Sequence, residues 1–378
     1  MPTQATDATC NWLCTGEEFF GAMLEAIDRA RESVCLETYI YASGALGERF
    51  LDKLVGARQR GARVQVLIDG LGSYGLSESF WKPLRDAGGE VRQFNPISLH
   101  RWGIRDHRKL LVCDQGIAFV GGFNIAPEYE GDGVNCGWCD IGLRIEGALV
   151  SRLAAAFDEM FARAEFQHKR FMRLRPITAS KSILTPQEQV LLSGPGRRRN
   201  PIRRALGADL GRARSVQIMV AYFLPSWRIR RQLMRVIRQG GRVQLILAGK
   251  SDITISRLAA QNLYRRLLRG GVEIHEYQPQ VLHAKLIIID GIVYIGSANL
   301  DHRSLSINYE LMVRFETKDF AQKAREVFNA NLKESRGVTL NDWKELSFWR
   351  RFKQSWAYFL LVRIDPWIAR WQWRALQD

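Results

Sequence analysis

Short runs of β-branched and other apolar residues alternate with stretches of helical periodicity along most of the chain. The runs Val34 to Tyr41 and Val216 to Leu224 are typical of buried strands. After each of them, Leu46 to Arg60 and Trp227 to Gln239 place apolar residues at helical spacing. Strands that alternate with helices predict an α/β fold built around a mixed sheet.

The same order of segments occurs twice. Arg29-Ala30-Arg31 precedes the first apolar run, as Arg212-Ala213-Arg214 precedes the second. Further along, Arg63 to Ile68 matches Arg242 to Leu247. An internal repeat at an offset of about 180 residues predicts two similar domains packed face to face.

The repeat also predicts domain limits. We expect a first domain over residues 1–172 and a second over 190–337. The segment 173–189 is the best linker candidate, since it contains two prolines and few periodic apolar residues. Residues 338–378 form a C-terminal tail rich in Trp and Arg.

Composition indicates a folded chain with an anionic partner. Of the 378 residues, 46% are hydrophobic and 25% are charged, with a formal net charge of +16. This charge favours nucleic acid, an anionic membrane or a phosphate-bearing substrate without choosing among them.

The N-terminus shows no export signal, because the first 20 residues contain no Lys or Arg and no apolar core. No apolar stretch approaches the ~20 residues of a spanning helix. The cysteines are therefore expected to be reduced thiols. Cys10, Cys14, Cys136 and Cys139 could form a zinc site, but buried thiols are the preferred interpretation.

A His-x-Lys-x(4)-Asp motif closes each copy of the repeat. The two motifs comprise His107, Lys109 and Asp114, then His283, Lys285 and Asp290. Each motif begins an apolar run, passes a turn and enters a second run, which predicts a strand, a tight turn and a strand. Residues two apart in a strand face the same side, so each His and Lys project into one pocket. The aspartates lie near the turns and are expected to support the scaffold rather than attack a substrate.

The second run of each copy ends in Gly and Asn, as Gly121-Gly122-Phe123-Asn124 and Gly296-Ser297-Ala298-Asn299. Asn124 and Asn299 can hydrogen-bond a phosphate oxygen, and the glycines allow close backbone approach.

Two such sets suit phosphodiester chemistry. A neutral imidazole can attack phosphorus and form a covalent intermediate. A second, protonated histidine can donate to the leaving alkoxide and later deprotonate the acceptor. The lysines and asparagines can stabilise charge on the other phosphate oxygens. This scheme requires no metal and no cofactor.

With these motifs the sequence resembles the phospholipase D superfamily, and within it the shorter bacterial cardiolipin synthases that lack N-terminal membrane spans. In the first half the resemblance rests on Leu36-Glu37-Thr38-Tyr39-Ile40, Leu67-Ile68-Asp69-Gly70, Gly121-Gly122-Phe123-Asn124-Ile125 and Arg144-Ile145-Glu146-Gly147. In the second half it rests on Ala221-Tyr222-Phe223-Leu224-Pro225, Gly296-Ser297-Ala298-Asn299-Leu300-Asp301, Arg303-Ser304 and Asn308-Tyr309-Glu310.

The resemblance implies two phospholipase D-type α/β/α sandwich domains with one active site at their interface. His107 would be the nucleophile and His283 the general acid and base. An acidic residue would stand behind each histidine, crosswise, with Glu310 on His107 and Asp140 on His283; ordinary surface charge is the alternative for both.

One position departs from the family pattern, because Ser297 stands where many synthases have Thr; it keeps the hydroxyl. Tyr39, Tyr222 and Asp69 are candidate pocket residues, for which packing is the preferred interpretation.

The resemblance also implies the substrates. A phosphatidyl group would pass from a phospholipid, phosphatidylglycerol or alternatively phosphatidylethanolamine, to the hydroxyl of phosphatidylglycerol. The partner surface would be an anionic membrane, with attachment at the cytoplasmic side of the bacterial inner membrane and no nucleic acid. A hydrolytic phospholipase D, a phosphodiesterase or nuclease, and a non-catalytic scaffold remain as alternatives.

The tail supports a membrane surface. Its aromatic and basic residues suit the headgroup layer of a bilayer, and its apolar core, Trp356 to Val362, is too short to span. The alternative is a tail that packs on the domains.

Overall fold

The computed structural model of the chain describes residues 8–96, 103–165, 187–195, 200–344 and 347–364. The first half contains strands Thr9–Leu13 (β1), Ser33–Thr38 (β2), Arg63–Asp69 (β3), Glu90–Phe94 (β4), Leu110–Cys113 (β5), Ile117–Gly121 (β6) and Gly142–Glu146 (β7). Its helices are Gly16–Arg29 (α1), Ala45–Gln59 (α2), Lys82–Asp86 (α3) and Ala148–Glu165 (α4).

The second half repeats this order with additions at its end. Its strands are Glu188–Ser193 (β8), Ser215–Val220 (β9), Arg242–Lys250 (β10), Glu273–Val281 (β11), Lys285–Ile289 (β12), Ile292–Gly296 (β13), Glu310–Phe315 (β14) and Ser335–Val338 (β15). Its helices are Pro201–Leu210 (α5), Trp227–Arg238 (α6), Thr254–Arg269 (α7), His302–Ser306 (α8), Lys318–Lys333 (α9), Leu340–Lys344 (α10) and Phe348–Phe359 (α11).

The two sheets share one topology. The first has the order β1-β7-β6-β5-β2-β3-β4, and the second has β8-β14-β13-β12-β9-β10-β11 with β15 added at the edge. Strands β2, β3 and β4 of the first sheet are parallel to one another, as are β9, β10 and β11 of the second. The remaining neighbouring pairs are antiparallel. The structure therefore confirms the predicted fold of two similar α/β halves.

Helices cover both faces of each sheet. The core between α1, α2 and the first sheet contains Ile27 and Phe50, and the core between the second sheet and α5 to α7 contains Leu233 and Leu267. The third core lies between the sheets, where α4 and α9 pack against apolar residues of both halves. Because the halves share this core, the sheet ends that carry the two motifs face each other.

Local sequence explains where equivalent helices start. The hydroxyl of Thr15 accepts a hydrogen bond from Glu18 N (3.2 Å) at the start of α1, and the side chain of Asn200 accepts one from Arg203 N (3.0 Å) at α5. Strand β2 is buried at all six positions, as expected of a central strand with helices on both faces.

The ends of the chain's segments differ from the predicted limits. Strand β8 begins at Glu188, inside the predicted linker, whose residues 173–186 lie outside the described residues.

In the tail, α11 packs along α7 and buries Gln354 and Ala357, while Trp343 packs on Tyr264. Trp343 is thus a packing residue, and the tail does not lie wholly free of the domains.

Candidate active site

Backbone hydrogen bonds between the halves position both histidines. His107 N donates to the carbonyl of Tyr309 (2.9 Å), and His283 N donates to the carbonyl of Cys139 (2.8 Å). Each histidine is thereby fixed against the residue that precedes a carboxylate of the other half.

The carboxylates meet the histidines crosswise. His107 Nδ1 lies 3.0 and 3.1 Å from the two carboxyl oxygens of Glu310, and His283 Nδ1 lies 2.6 Å from Asp140 Oδ2. Both carboxylates are fully buried. The alternative of ordinary surface charge is wrong for Asp140 and Glu310, because each is buried against the histidine that the resemblance assigned to it.

The two pairs have different supports. The hydroxyl of Ser297 donates to Glu310 Oε2 (2.5 Å). At the equivalent position of the first half, a Cβ on Gly122 would lie 2.2 Å from Asp140 Oδ1. Glycine therefore leaves room for the shorter carboxylate, whereas serine adds a hydrogen bond to the longer one.

Both motif lysines lie buried beside their histidines. Lys109 Nζ donates to the carbonyl of His107 (2.7 Å), and Lys285 Nζ lies 2.8 Å from His283 Nδ1. Burial lowers the pKa of Lys109 to about 7 and that of Lys285 to about 8, against the opposing attraction of the nearby carboxylates.

Burial and the lysines keep the imidazoles neutral. Desolvation, then the charges of Lys109 and Lys285, hold the pKa of His107 well below its usual value. The same causes lower the pKa of His283 to about 4, although Asp140 opposes them. Burial raises the pKa of Glu310 to about 8. Burial also acts to raise the pKa of Asp140, but the charges of Lys285 and His283 outweigh it and lower that pKa below its usual value.

The outward nitrogens of the two rings differ. His283 Nε2 lies 3.3 Å from the hydroxyl of Tyr129, which itself accepts a hydrogen bond from Asn124 Nδ2 (2.6 Å). The His107 ring contacts Glu310 through Nδ1, and Tyr39 contacts it edge-on at 5.0 Å. The His107 side chain is 12% exposed and that of His283 is 5% exposed. His107 is therefore the more accessible of the two side chains.

Asn124 and Asn299 both line the cavity in front of the histidines. The side-chain oxygen of Asn124 accepts from Ile40 N (3.1 Å), and that of Asn299 accepts from Tyr222 N (3.4 Å). These bonds fix the amide planes and direct the NH₂ groups away from the backbone. In Asn124 that group donates one hydrogen to the hydroxyl of Tyr129, which leaves its second hydrogen available.

Asp114 and Asp290 lie outside the cavity, in the hairpin turns after β5 and β12. Asp114 accepts from Arg31, Glu32 and Ser33 N at 2.8 to 2.9 Å, and Asp290 accepts from Ser215 N at 2.7 Å. Both have positive φ, 51° and 53°. Although they belong to the motif, these carboxylates connect the turns to the start of β2 and β9 and do not line the cavity.

A cavity of about 800 Å³ opens in front of both histidines. Tyr39 and Tyr222 line it, so the preferred packing interpretation is wrong for both. It holds for Asp69, which is fully buried and accepts from Leu71 and Asp106 N, both at 2.9 Å.

Several cavity residues had no signal in the motifs. They are Arg105, Tyr129, Trp138, Arg203, Trp227 and Arg230, and the tail adds Tyr358, Leu361 and Val362. Arg105 could have been found, since it precedes His107 by two residues and so shares its side of an extended chain. The others come from loops, from the first turns of α5 and α6, and from the tail, whose positions relative to the histidines depend on tertiary packing.

The described residues contain no group of three or more His, Cys, Asp or Glu side chains placed to hold a metal ion. In particular, the two cysteine pairs do not form the zinc site considered above, and all six cysteines are free thiols.

Comparisons with known proteins agree with this geometry. The family described as cardiolipin synthase, phospholipase D-like domain, matches residues 23–161 and 208–332. The chain is 32% identical to cardiolipin synthase 1 of Bacillus cereus over 370 residues, which cover 93% of this chain and 72% of that protein. It is 33% identical to cardiolipin synthase B of Escherichia coli (strain K12) over 338 residues, 85% of this chain and 81% of that one.

Among solved structures, phosphatidylserine synthase of Haemophilus influenzae Rd KW20 has a similar fold. Its TM-score is 0.74 at 13% sequence identity, over 95% of this chain and 94% of that one. Identity this low shows a common fold alone.

Proposed function

The chain belongs to the family of cardiolipin synthases with phospholipase D-like domains, a group of phosphatidyltransferases, and from this membership we propose that it joins two phospholipids through a phosphatidyl-histidine. The donor is phosphatidylglycerol, with phosphatidylethanolamine as the alternative donor. The acceptor is the hydroxyl of a second phosphatidylglycerol.

The reaction proceeds in two displacements. His107 Nε2 attacks phosphorus, an N–P bond forms, and the P–O bond to the headgroup glycerol breaks while His283 protonates the leaving oxygen. The acceptor hydroxyl then gives its proton to His283 and attacks phosphorus, so that the N–P bond breaks. The products are cardiolipin and free glycerol.

The observation that carries this proposal is the pair of crosswise His–carboxylate contacts with unequal outward nitrogens. Glu310 holds the proton on Nδ1 of His107 and leaves the lone pair of Nε2 free for attack. His283 Nε2 instead lies beside Tyr129 OH, in a position where a proton is exchanged with an oxygen. This difference supports His107 as nucleophile and His283 as general acid and base.

Substrate charge completes the site. Lys285 and Lys109 lower the pKa of His283 by their positive charge. An anionic phosphodiester bound between them compensates this charge. Binding therefore raises the pKa of His283 again and allows it to carry the proton that the leaving oxygen needs.

A lipid substrate explains the cavity wall better than nucleic acid does. One side of the cavity is built from apolar residues of the second half and the tail, Leu224, Ile253, Leu361 and Val362. Acyl chains or the glycerol backbone of a lipid can cover such a wall, whereas a polynucleotide would leave it exposed to water.

Incubation of the pure protein with phosphatidylglycerol vesicles tests the proposal. We expect cardiolipin and glycerol to appear in equal amounts, in the presence of a chelator as in its absence. Phosphatidic acid as the sole lipid product would identify a hydrolase and reject the transferase, and cleavage of plasmid DNA at a comparable rate would favour a nuclease.

The outer face of α11 supports peripheral attachment to an anionic membrane at the cytoplasmic side of the inner membrane. Five aromatic residues on it are more than half exposed: Phe348, Trp349, Phe352, Trp356 and Phe359. Arg350, Arg351 and Lys353 lie between them. No helix in the described part of the chain combines the length and apolarity needed to cross a bilayer. An aromatic and basic helix that packs on α7 by its other face suits the headgroup layer.

Replacing Trp349, Phe352 and Trp356 together with serine is expected to weaken partitioning into anionic vesicles about 100-fold. Each aromatic side chain removed from the interface costs about 1 kcal/mol. Co-flotation with vesicles measures the loss, and leucine at the same three positions is the matched control that restores most of the binding. Equal flotation of the serine variant and the wild type would reject α11 as a membrane surface.

A further inference from the structure

A basic groove lies outside the catalytic cavity, between α6 and α7. It encloses about 420 Å³. Its walls carry four arginines, Arg230, Arg231, Arg238 and Arg266, and its apolar floor and end are formed by Met234, Leu263, Leu267 and Trp227. A row of guanidinium groups above apolar side chains is amphipathic, with hydrogen-bond donors on one side and a surface that water solvates poorly on the other.

The charge of this groove is not compensated by nearby carboxylates. Neither α6 nor α7 contains an Asp or Glu. Within the ranges that the structure describes, Arg230, Arg231, Arg238 and Arg266 form no ion pair with a carboxylate. The Nε of Arg230 is buried and has no hydrogen-bond partner in the same ranges. A buried donor with no protein partner, among uncompensated cations, favours the binding of an anion in the groove.

The groove is continuous with the catalytic cavity and with α11. Trp227 and Arg230 line both the groove and the cavity. At the other end, Arg266 also lines a hollow of about 390 Å³ whose wall includes Arg351 of α11. A basic surface therefore runs from the cavity mouth to the helix whose aromatic residues face outward, and Trp227 on this surface is 58% exposed.

We propose that this groove binds the phosphate of an anionic phospholipid of the bilayer, a molecule distinct from the two that react. The arginines donate to the phosphate oxygens, and Met234, Leu263 and Leu267 cover the first carbons of its glycerol and acyl chains. The bound lipid holds the cavity mouth against the membrane. The proposal rests on the proposed function, since it takes a membrane as the surface on which the enzyme acts.

A lipid fits the groove better than a soluble anion or nucleic acid does. Inorganic phosphate would occupy the arginines and leave the apolar floor and Trp227 in water. A polynucleotide would satisfy the charges, but its sugar–phosphate backbone would not fill an apolar floor. The position beside α11 places the groove where the membrane lies if α11 attaches to it.

The test compares two variants that lose the same charge. One carries Arg231→Gln, Arg238→Gln and Arg266→Gln, none of which lines the catalytic cavity. The other carries Lys318→Gln, Lys333→Gln and Arg336→Gln, which are exposed on α9 and β15. Both are made with His107→Gln so that no lipid is consumed. The probe is vesicles of phosphatidylcholine that contain phosphatidylglycerol, and thermal unfolding checks that each variant is folded.

The groove variant is expected to bind these vesicles about 100-fold more weakly, at about five-fold for each charge near the surface, and the control variant to bind within two-fold of its parent. A third variant with lysine at the three groove positions is expected to keep most of the binding. Equal loss in the groove and control variants would overturn the proposal. So would displacement of vesicles by millimolar inorganic phosphate, or a loss of DNA binding without a loss of vesicle binding.

Failure of the groove proposal can be distinguished from failure of the proposed transferase function. Vesicle binding is measured without turnover, and cardiolipin formation is measured with the wild type. Normal vesicle binding that is insensitive to the groove variant would reject the groove alone. Absence of cardiolipin formation, with groove-dependent binding intact, would reject the transferase alone.

Discussion

Replacement of His107 by glutamine is expected to lower the rate of phosphatidyl transfer at least about 10⁴-fold, equivalent to roughly 5 kcal/mol of barrier. Glutamine has a similar length and can still hydrogen-bond Glu310, but it has no nitrogen lone pair that can attack phosphorus. Loss of the nucleophile removes both displacements at once, because the intermediate is never formed. The rate of cardiolipin formation measures this effect.

His283→Gln separates the two roles. This variant keeps the nucleophile but cannot protonate the leaving oxygen. With a nitrophenyl phosphodiester, whose leaving group needs no proton, we expect His283→Gln to release one equivalent of nitrophenol in a burst and His107→Gln to release none. His275→Gln, a histidine of β11 outside the cavity, is the control and should behave as the wild type. A burst from the His107 variant would reverse the assignment of roles.

Glu310→Gln is expected to slow transfer about 10³- to 10⁴-fold, as the loss of the carboxylate does in other His–carboxylate pairs. The amide keeps the size of the side chain but can donate to His107 Nδ1, which moves the ring proton to Nε2 and blocks the attacking lone pair. Protein folding should be preserved, because Ser297 can still hydrogen-bond the amide oxygen.

A pH profile distinguishes this role from a structural one. Burial raises the pKa of Glu310 to about 8, so the carboxylate that the reaction needs increases as pH rises. The pKa of Lys109, about 7, and that of Lys285, about 8, lie close to that of Glu310, so the rise and the fall of the wild-type kcat/KM are expected to overlap in a narrow optimum between about pH 7 and 8. Glu310→Gln should lose the acidic limb. A variant that is slow but keeps the same acidic limb would show that Glu310 only supports the fold.

Ser297→Ala is the matched comparison for the same contact. It removes one hydrogen bond from Glu310 and leaves the carboxylate, so the expected loss is about ten-fold. In the Glu310→Gln background the added loss should be smaller, because the two residues act on one histidine.

Much of the fold followed from the sequence because the repeat is visible in it. The matched runs before β2 and β9 and the paired motifs predicted two similar sheets, and periodicity placed α2 and α6 correctly. The ends of the second half were harder to place. Strand β8 starts within the predicted linker because it pairs with β14, a contact that spans more than 100 residues and has no local signal.

The site was predictable where chemistry is repeated and unpredictable where it depends on packing. The two motifs and the crosswise carboxylates could be placed, since each has an equivalent in the other half. Tyr129 could not, because the second half has a helix, α8, where the first has the short turn Pro127–Tyr129. The sequence shows the difference between Gly122 and Ser297. Its effect is seen only in the structure, where Gly122 leaves room for Asp140 and Ser297 donates to Glu310.

The tail shows the same limit. Its composition predicted an interfacial helix, yet composition alone could not divide it into an inner and an outer face. In the structure Gln354 and Ala357 are buried on α7, while Tyr358 and Leu361 line the catalytic cavity. Deleting the tail would therefore disturb the cavity as well as the surface, and substitutions on the outer face are the sharper test.

Acid-free denaturing quench of the enzyme during turnover with phosphatidylglycerol, followed by peptide mass spectrometry, shows whether His107 carries the phosphatidyl group. The N–P bond of a phosphohistidine survives at alkaline pH, so the adduct can be recovered. We expect a phosphatidyl group on the peptide that contains His107, absent from His107→Gln and enriched in His283→Gln supplied with the nitrophenyl ester of phosphatidic acid. An adduct on His283, or turnover at full rate with no adduct on either histidine, would contradict it.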